Sequence, residues 1–364
     1  MSSPRFTKLT VRAADVPLNR PVIAKVGSFP KWVFICVDVE TDAGVTGRGY
    51  IAPYLIDYAP AVASTIRTLG ARFLEREIAP AAFYDEGMKA ISLLGKSGIA
   101  LYALAALDIA FWDAQAKSAG KPLAEHLGGS IGPVPAYNST GLWLGTNEGL
   151  EAQAAELVEQ GGFSAMKVRL GRDSLIEDLE AIAAIRRGAG RPITLLSDFN
   201  QGLSFPAAKE RLNSLDDAGL GWFEEPIAYH DLDNCAALAA MLKTPVIIGE
   251  NFHGPYDQQQ AIAKRACDAV MPDLMRIGGV TGWLRAAALA EPQGLPVSSH
   301  LFTEVSAHLM RVTPGAQWLE WTDWVHPILA EPFEVKEGAV VIPDRPGNGI
   351  EWNETGLAKY EIAC

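Results

Sequence analysis

The sequence predicts an α/β fold, a (β/α)-barrel with a smaller unit attached. Three observations carry this. Seven polar residues sit at or near the ends of short apolar runs: Lys167 in FSAMKVRL, Asp198 in ITLLSD, Glu224 in GWFEE, Glu250 in PVIIGE, Asp273 in DAVMPDL, His300 in LPVSSH and Glu320 in QWLEW. Their gaps are 31, 26, 26, 23, 27 and 20 residues, each near the length of one strand, loop and helix. Between the runs lie helical stretches: AQAAELVEQ, LIEDLEAIAAIRR, PAAKERLNSLDDA, NCAALAAMLK and WLRAAALAE. Strand–helix alternation at this period builds a parallel sheet closed into a barrel, with its active site at the strand C-termini. The chain's 364 residues, 49% of them hydrophobic, are ample for that core plus something smaller. Any one of the seven residues would pass for an ordinary loop-edge polar group. Seven in phase do not.

The elements follow in order. Residues 5–55 read as a β-meander. FTKLTVRAADV alternates, and KWVFICVDVETDAGVTGRGYI is two strands around a DAG turn. Residues 57–127 read as helices, APAVASTIRTLGARFL and then GIALYALAALDIAFWDAQAKSAGKPLAEHLGG. The second is apolar on several faces, which predicts burial against another unit. GGSIGPVPAYNST is the linker into the barrel. After Glu320 the period breaks, and ILAEPFEVKEGAVVIPDRPGNGIEWN reads as short strands and turns packing back on the N-terminal part. The divisions expected are 1–128, 129–322 and 323–364.

Bulk properties exclude several partners. A net charge of −12 argues against nucleic acid and anionic membranes. Cys36, Cys235, Cys267 and Cys364 show no zinc or redox spacing and suit free thiols in a reducing compartment. The N-terminus lacks the apolar core of a signal peptide, and no run reaches membrane-span length. The expected location is the cytoplasm.

Asp198, Glu224 and Glu250 are spaced to bring three carboxylates to one end of neighbouring strands. Buried carboxylates crowd together only around positive charge. Oxygen ligands of this charge call for Mg²⁺, with Mn²⁺ as the second choice. A substrate carboxylate would fill the remaining positions, and the ion would offset the second negative charge that forms when the α-carbon loses its proton. His300 is the candidate base, and Asp273 one unit earlier would fix its tautomer. His126, His230, His253, His308 and His326 read as structural. Glu320, if kept protonated by the negative field, would donate a hydrogen bond to the enediolate oxygen. Lys167 and Arg169, two apart, face the same way on a strand. A second base opposite His300 is expected there. A lysine can be tuned for that role by a neighbouring cation, and an arginine hardly can.

Around these residues the chain resembles the mandelate racemase family of the enolase superfamily. The likeness runs through VRAADVPLNRPV, ALAALDIAFWDAQAK, SDFNQ, WFEEP, GEN, MPDLMRIGGVTGW, SSHLFTEVSAHL and IPDRPGNGI. It implies an N-terminal α+β capping domain, a modified (β/α)₇β barrel and a C-terminal segment returning to the cap. It places Mg²⁺ on Asp198, Glu224 and Glu250, with Asn200 beside the first ligand. His300 with Asp273 matches the dyad that takes the proton from R-configured substrates. Glu320 matches the acid that hydrogen-bonds the substrate carboxylate. Lys167 matches the first Lys of the family's Lys-x-Lys, and Ser139 a serine near the substrate hydroxyl. The chain departs at Arg169, where relatives carry the lysine base for the S-enantiomer, and at Arg276, also lysine in relatives. Two-base chemistry and His300 acting alone both stay open. A homo-oligomer, an octamer by resemblance, is implied.

The specificity loop of such enzymes corresponds to PVIAKVGSFPKW. Val22, Val26, Phe29 and Trp32 are apolar, with Leu301 a barrel-side partner and Tyr54 a further lining residue. They favour an apolar or aryl substituent, although Lys25 and Arg20 offer charges to a polar end. The expected activity is racemisation or epimerisation of a 2-hydroxy acid. A dehydratase of an acid sugar or hydroxy acid, with His300 as sole base and acid, is the alternative. A carboxylate-binding protein without catalysis is the third class, disfavoured because idle carboxylates only destabilise a fold.

Overall fold

The structure is a computed structural model that describes residues 4–25 and 27–364. Its N-terminal part is an antiparallel meander of β1 (Phe6–Ala24), β2 (Gly27–Thr41) and β3 (Thr46–Ile51). The DAG turn joins β2 to β3, with Gly44 at φ 74, a conformation glycine adopts without strain. The register of β1 on β2 shifts between Pro17 and Val22. Such a shift bends a ribbon, and the far end of this one carries Val22 and Phe29 into the cavity described below.

Helices α1 (Ala59–Ala71), α2 (Pro80–Ala90), α3 (Gly98–Ser118) and α4 (Leu123–His126) follow. The sequence reading did not single out α2, whose short pattern is interrupted by Gly87. A Cβ there would stand 2.7 Å from Leu104, so the glycine trades helix propensity for close approach to α3. By length and composition α3 would suffice to cross a membrane, but it is packed inside the protein. It lies under β3, where a Cβ on Gly47 would meet Ala110 O at 2.1 Å.

The barrel alternates β4 (Pro133–Asn138), α5 (Asn147–Glu159), β5 (Ala165–Arg169), α6 (Leu175–Ala189), β6 (Thr194–Asp198), α7 (Phe205–Leu215), β7 (Leu220–Glu224), α8 (Leu232–Met241), β8 (Val246–Ile248), α9 (Pro255–Lys264), β9 (Ala269–Val270), α10 (Gly279–Ala290), α11 (Thr303–Met310) and β10 (Leu319–Trp321). Neighbouring strands from β4 to β9 pair in parallel, and β10 returns to β4. Between β9 and β10 the ring is completed by isolated bridges, Val270 to Val297, Asp273 to His300 and Val297 to Ala316. Seven helices thus separate eight strand positions. Helix α9 escaped the sequence reading because its QQQ run blurs the apolar period. Tyr137, Ala165, Leu196, Trp222, Ile247, Ala269 and Met271 fill the barrel interior, so it is a packed core rather than a pore.

The tail does more than return to the cap. Strands β11 (Glu334–Lys336) and β12 (Ala339–Val341) form a hairpin, and β12 pairs antiparallel with β4. Helix α12 (Glu354–Tyr360), unexpected from the sequence, leads to β13 (Glu361–Ile362), which pairs with β1. Gly347, at φ 84, lets the chain pass Asp113 where a Cβ would sit 2.2 Å from its carboxylate. Cap and barrel are joined by buried polar contacts. Asp108 on α3 accepts from Thr281 N at 2.8 Å and Oγ1 at 2.7 Å, capping α10. Tyr50 on β3 donates to Glu304 on α11 at 2.6 Å.

Candidate active site

The C-terminal strand ends meet beneath the cap. Asp198 and Glu224 close β6 and β7, and Glu250 lies two residues past β8. All three are buried, and each offers an oxygen within 4.8 Å of the others. Glu224 Oε2 is buried without any hydrogen-bond partner. Burial and then the Asp198 charge push Glu224 well above the ordinary carboxylate range. For Asp198 burial acts upward too, but Arg169 and Lys167 outweigh it and its pKa is lowered. An all-oxygen set with one orphaned oxygen and mutual repulsion fits a hard divalent cation.

The backbone after these strands is strained into place. Asn200 (φ 45), Gln201 (φ 58) and Glu225 (φ 36) occupy left-handed conformations unusual for their types. Asn200 N donates to Asp198 Oδ1 at 2.8 Å, and Gln201 N to Glu225 O at 2.7 Å. Those turns aim the Asp198 carboxylate at the centre.

His300 and Asp273 meet as expected, Nδ1 to Oδ2 at 2.7 Å, across a parallel bridge. Asp273 is fully buried and also accepts from Arg276 N at 2.9 Å through Oδ1. An acceptor-only partner keeps the proton on Nδ1, leaving Nε2 to face the cavity. Burial lowers the imidazole pKa, but Glu250, Glu320 and Asp273 outweigh it and the net shift is upward. Leu301 (φ 51) and Phe302 (φ 52) then turn sharply into α11.

Glu320 differs from expectation. Burial acts upward, but Lys167 at 2.8 Å, His300 and the Leu301 N–H at 2.8 Å bring it down to about 2. It is a carboxylate and accepts hydrogen bonds. The negative field assumed from sequence is cancelled locally by Lys167, which also reaches Glu224 at 3.0 Å and Asp198 at 3.5 Å. Nor is Lys167 tuned down in this arrangement. Desolvation opposes its charge, yet the surrounding acids raise it well above the ordinary range. Arg169 points the same way, donates to Asp198 and lies over the Trp143 ring at 5.6 Å. Arg276 donates to Glu250 O at 3.0 Å and to Asn251 Oδ1, and sits over the Tyr54 ring at 4.6 Å.

A cavity of about 450 Å³ joins these groups. Ser139, Lys167, Arg169, Asp198, Asn200, Glu250, Arg276, His300 and Glu320 form its floor, and Val22, Phe29, Trp32, Tyr54 and Leu301 part of its roof. Val26 lies outside the described residues. Arg20 and Lys25 are absent from the lining. Arg20 is paired with Glu156 at 2.6 Å and Lys25 with Asp173 at 3.2 Å, so charge partners on the barrel draw them away from the cavity. Sequence reasoning missed Trp143, Trp324, Gln201 and Asn251. The last two stood inside SDFNQ and GEN, next to residues already chosen. The tryptophans follow β4 and β10 in loops with no distinguishing pattern.

Residues 7–128 match the N-terminal domain of the mandelate racemase/muconate lactonizing enzyme family, and residues 149–356 the enolase C-terminal domain-like family. Among solved structures, an enolase from alpha proteobacterium bal199 with bound magnesium superposes with TM-score 0.96 at 43% identity, covering 99% of this chain and 100% of that one. An enolase from Bradyrhizobium complexed with magnesium and mandelic acid gives TM-score 0.95 at 36% identity, with 100% of both chains covered. Among curated proteins, L-talarate/galactarate dehydratase of Salmonella typhimurium is 32% identical over 77% of this chain and 71% of its own length.

Proposed function

The chain belongs to the mandelate racemase/muconate lactonizing enzyme family, whose members are isomerases and lyases of the enolase type, and from that premise we propose a Mg²⁺-dependent racemase or epimerase of a 2-hydroxy acid with an apolar α-substituent. The observation that carries this reading is the division of the cavity into a charged floor and an apolar, aromatic roof. A polyhydroxylated substituent would strand hydroxyls against that roof, at about 1–3 kcal/mol for each one left unpaired.

Asp198, Glu224 and Glu250 hold the ion. Bound there, Mg²⁺ supplies positive charge to the substrate carboxylate as the α-carbon becomes anionic. Lys167 and the ionised Glu320 flank that carboxylate, with Lys167 adding positive charge beside it. His300 Nε2 takes the α-proton, and Asp273 keeps the ring in the competent tautomer. Arg169 enters from β5, three strand positions around the ring from His300, and returns or removes a proton on the other side.

A second reading rests on one contact. Arg169 donates to Asp198, and an arginine so held is a poor proton acceptor. His300 would then work alone, first as base and next as acid for a departing β-hydroxyl. That is dehydration, the reaction named for the Salmonella relative.

Proton NMR in D₂O with Mg²⁺, on both enantiomers of mandelate and a panel of hydroxy and sugar acids, tests the proposal. Exchange with inversion from both enantiomers is the expected result. Exchange from the R-side alone, or release of a 2-keto acid, transfers the assignment to dehydration.

A further inference from the structure

Resting on the reading that the floor binds a carboxylate, we propose that the roof is built for two aromatic rings, fused or directly linked, rather than for one phenyl group. Trp32 is the centre of the roof. It meets Trp324 at 4.7 Å between centroids, Tyr54 at 5.4 Å and Phe29 at 6.0 Å, and Trp143 meets Trp324 at 6.3 Å. Trp32, Trp143 and Trp324 are each less than a tenth exposed, so the wall exists before any ligand arrives. It is assembled from the cap, from the loop after β4 and from the loop after β10.

The volume sets the size of the guest. The cavity encloses about 450 Å³. A dry cavity of about 150 Å³ accommodates one benzene ring. The ion, its waters and the hydroxy-acid head together displace about five waters' worth, roughly 150 Å³ at about 30 Å³ each. About 150 Å³ is left over, which is room for a second ring. A single phenyl would leave that space to water against indole faces.

The chemistry excludes other large guests. Guanidinium groups of Arg169 and Arg276 already lie on the Trp143 and Tyr54 rings, at 5.6 and 4.6 Å, so a cationic substituent would meet like charge. A polyol would lose hydrogen bonds to water. A long alkyl chain fills the volume but loses rotamer freedom, whereas flat rings match flat walls at low entropic cost.

Calorimetry on the Mg²⁺-loaded enzyme with benzoate, 2-naphthoate, 4-biphenylcarboxylate and decanoate tests this, alongside α-proton exchange of mandelate and 2-naphthylglycolate. The bicyclic acids are expected to bind at least tenfold more tightly than benzoate and than decanoate. Trp324→Ala is expected to cut the naphthoate-to-benzoate ratio at least fivefold. If that variant does not fold, the wild-type ratios decide. Benzoate or decanoate binding as tightly as 2-naphthoate overturns the proposal. Tight bicyclic binding with no exchange of either hydroxy acid upholds it and overturns the catalytic reading instead.

Discussion

Replacing Asp273 by asparagine removes one charge and changes almost no volume, so its effect isolates the tautomer of His300. Asp273 is fully buried and serves two donors, His300 Nδ1–H through Oδ2 and Arg276 N–H through Oδ1. Asparagine has one acceptor and one donor end. If its oxygen keeps the Arg276 N–H, its amide faces Nδ1, the imidazole proton moves to Nε2, and the base is gone. If the amide flips, His300 regains the right tautomer, but the buried Arg276 N–H then faces another donor. That loses a hydrogen bond of about 1 kcal/mol and strands a buried group at about 1–3 kcal/mol. The competent arrangement is therefore disfavoured by roughly 2–4 kcal/mol, a loss of about thirtyfold to a thousandfold in R-side exchange. The assay is α-proton exchange in D₂O at saturating Mg²⁺, with Mg²⁺ affinity measured in parallel. A loss below tenfold, with unchanged metal affinity, would refute the assignment of His300 as the base held by Asp273.

Three further outcomes are expected. Mg²⁺ should raise the melting temperature, with a stabilisation near 2.7 kcal/mol at a hundred times Kd, and Glu224→Gln should abolish most of the shift; an undiminished shift in the variant would place the ion elsewhere. Tyr50→Phe leaves the Glu304 carboxylate buried without its donor, so it should cost about 3 kcal/mol in urea unfolding, and Tyr50→Phe with Glu304→Met should recover part of it. His308 on α11 accepts from Ala124 N at 3.1 Å, and burial lowers its pKa to about 4. The unfolded chain binds that proton first, so about 3 kcal/mol present above pH 6.5 should be lost as the pH falls from about 6.5 to about 4. His308→Gln should flatten the urea midpoint between pH 7 and 5, and an identical slope in both proteins would discard the idea.

The barrel was legible in the sequence because its period is long and regular. A residue at a strand end in one unit has its counterpart one unit later on the neighbouring strand, so sequence spacing translates directly into adjacency. That is why Asp198, Glu224 and Glu250 could be placed together, and His300 beside Asp273. Helices α2 and α9 were not legible, since Gly87 and the QQQ run hide the apolar period that packing nevertheless satisfies. Charge states depended on three dimensions. Glu320 is ionised because Lys167, 153 residues earlier, reaches it across the barrel, and electrostatic balance falls off with distance in space rather than along the chain. The roof is the extreme case. Trp32, Trp143 and Trp324 share no motif and come from separate parts of the chain; only closure of the cap over the barrel brings their rings together. The amino-acid sequence by itself determined the reacting groups, through a local repeat. The tertiary structure decided what surrounds them, because packing between distant segments leaves no periodic trace in either one.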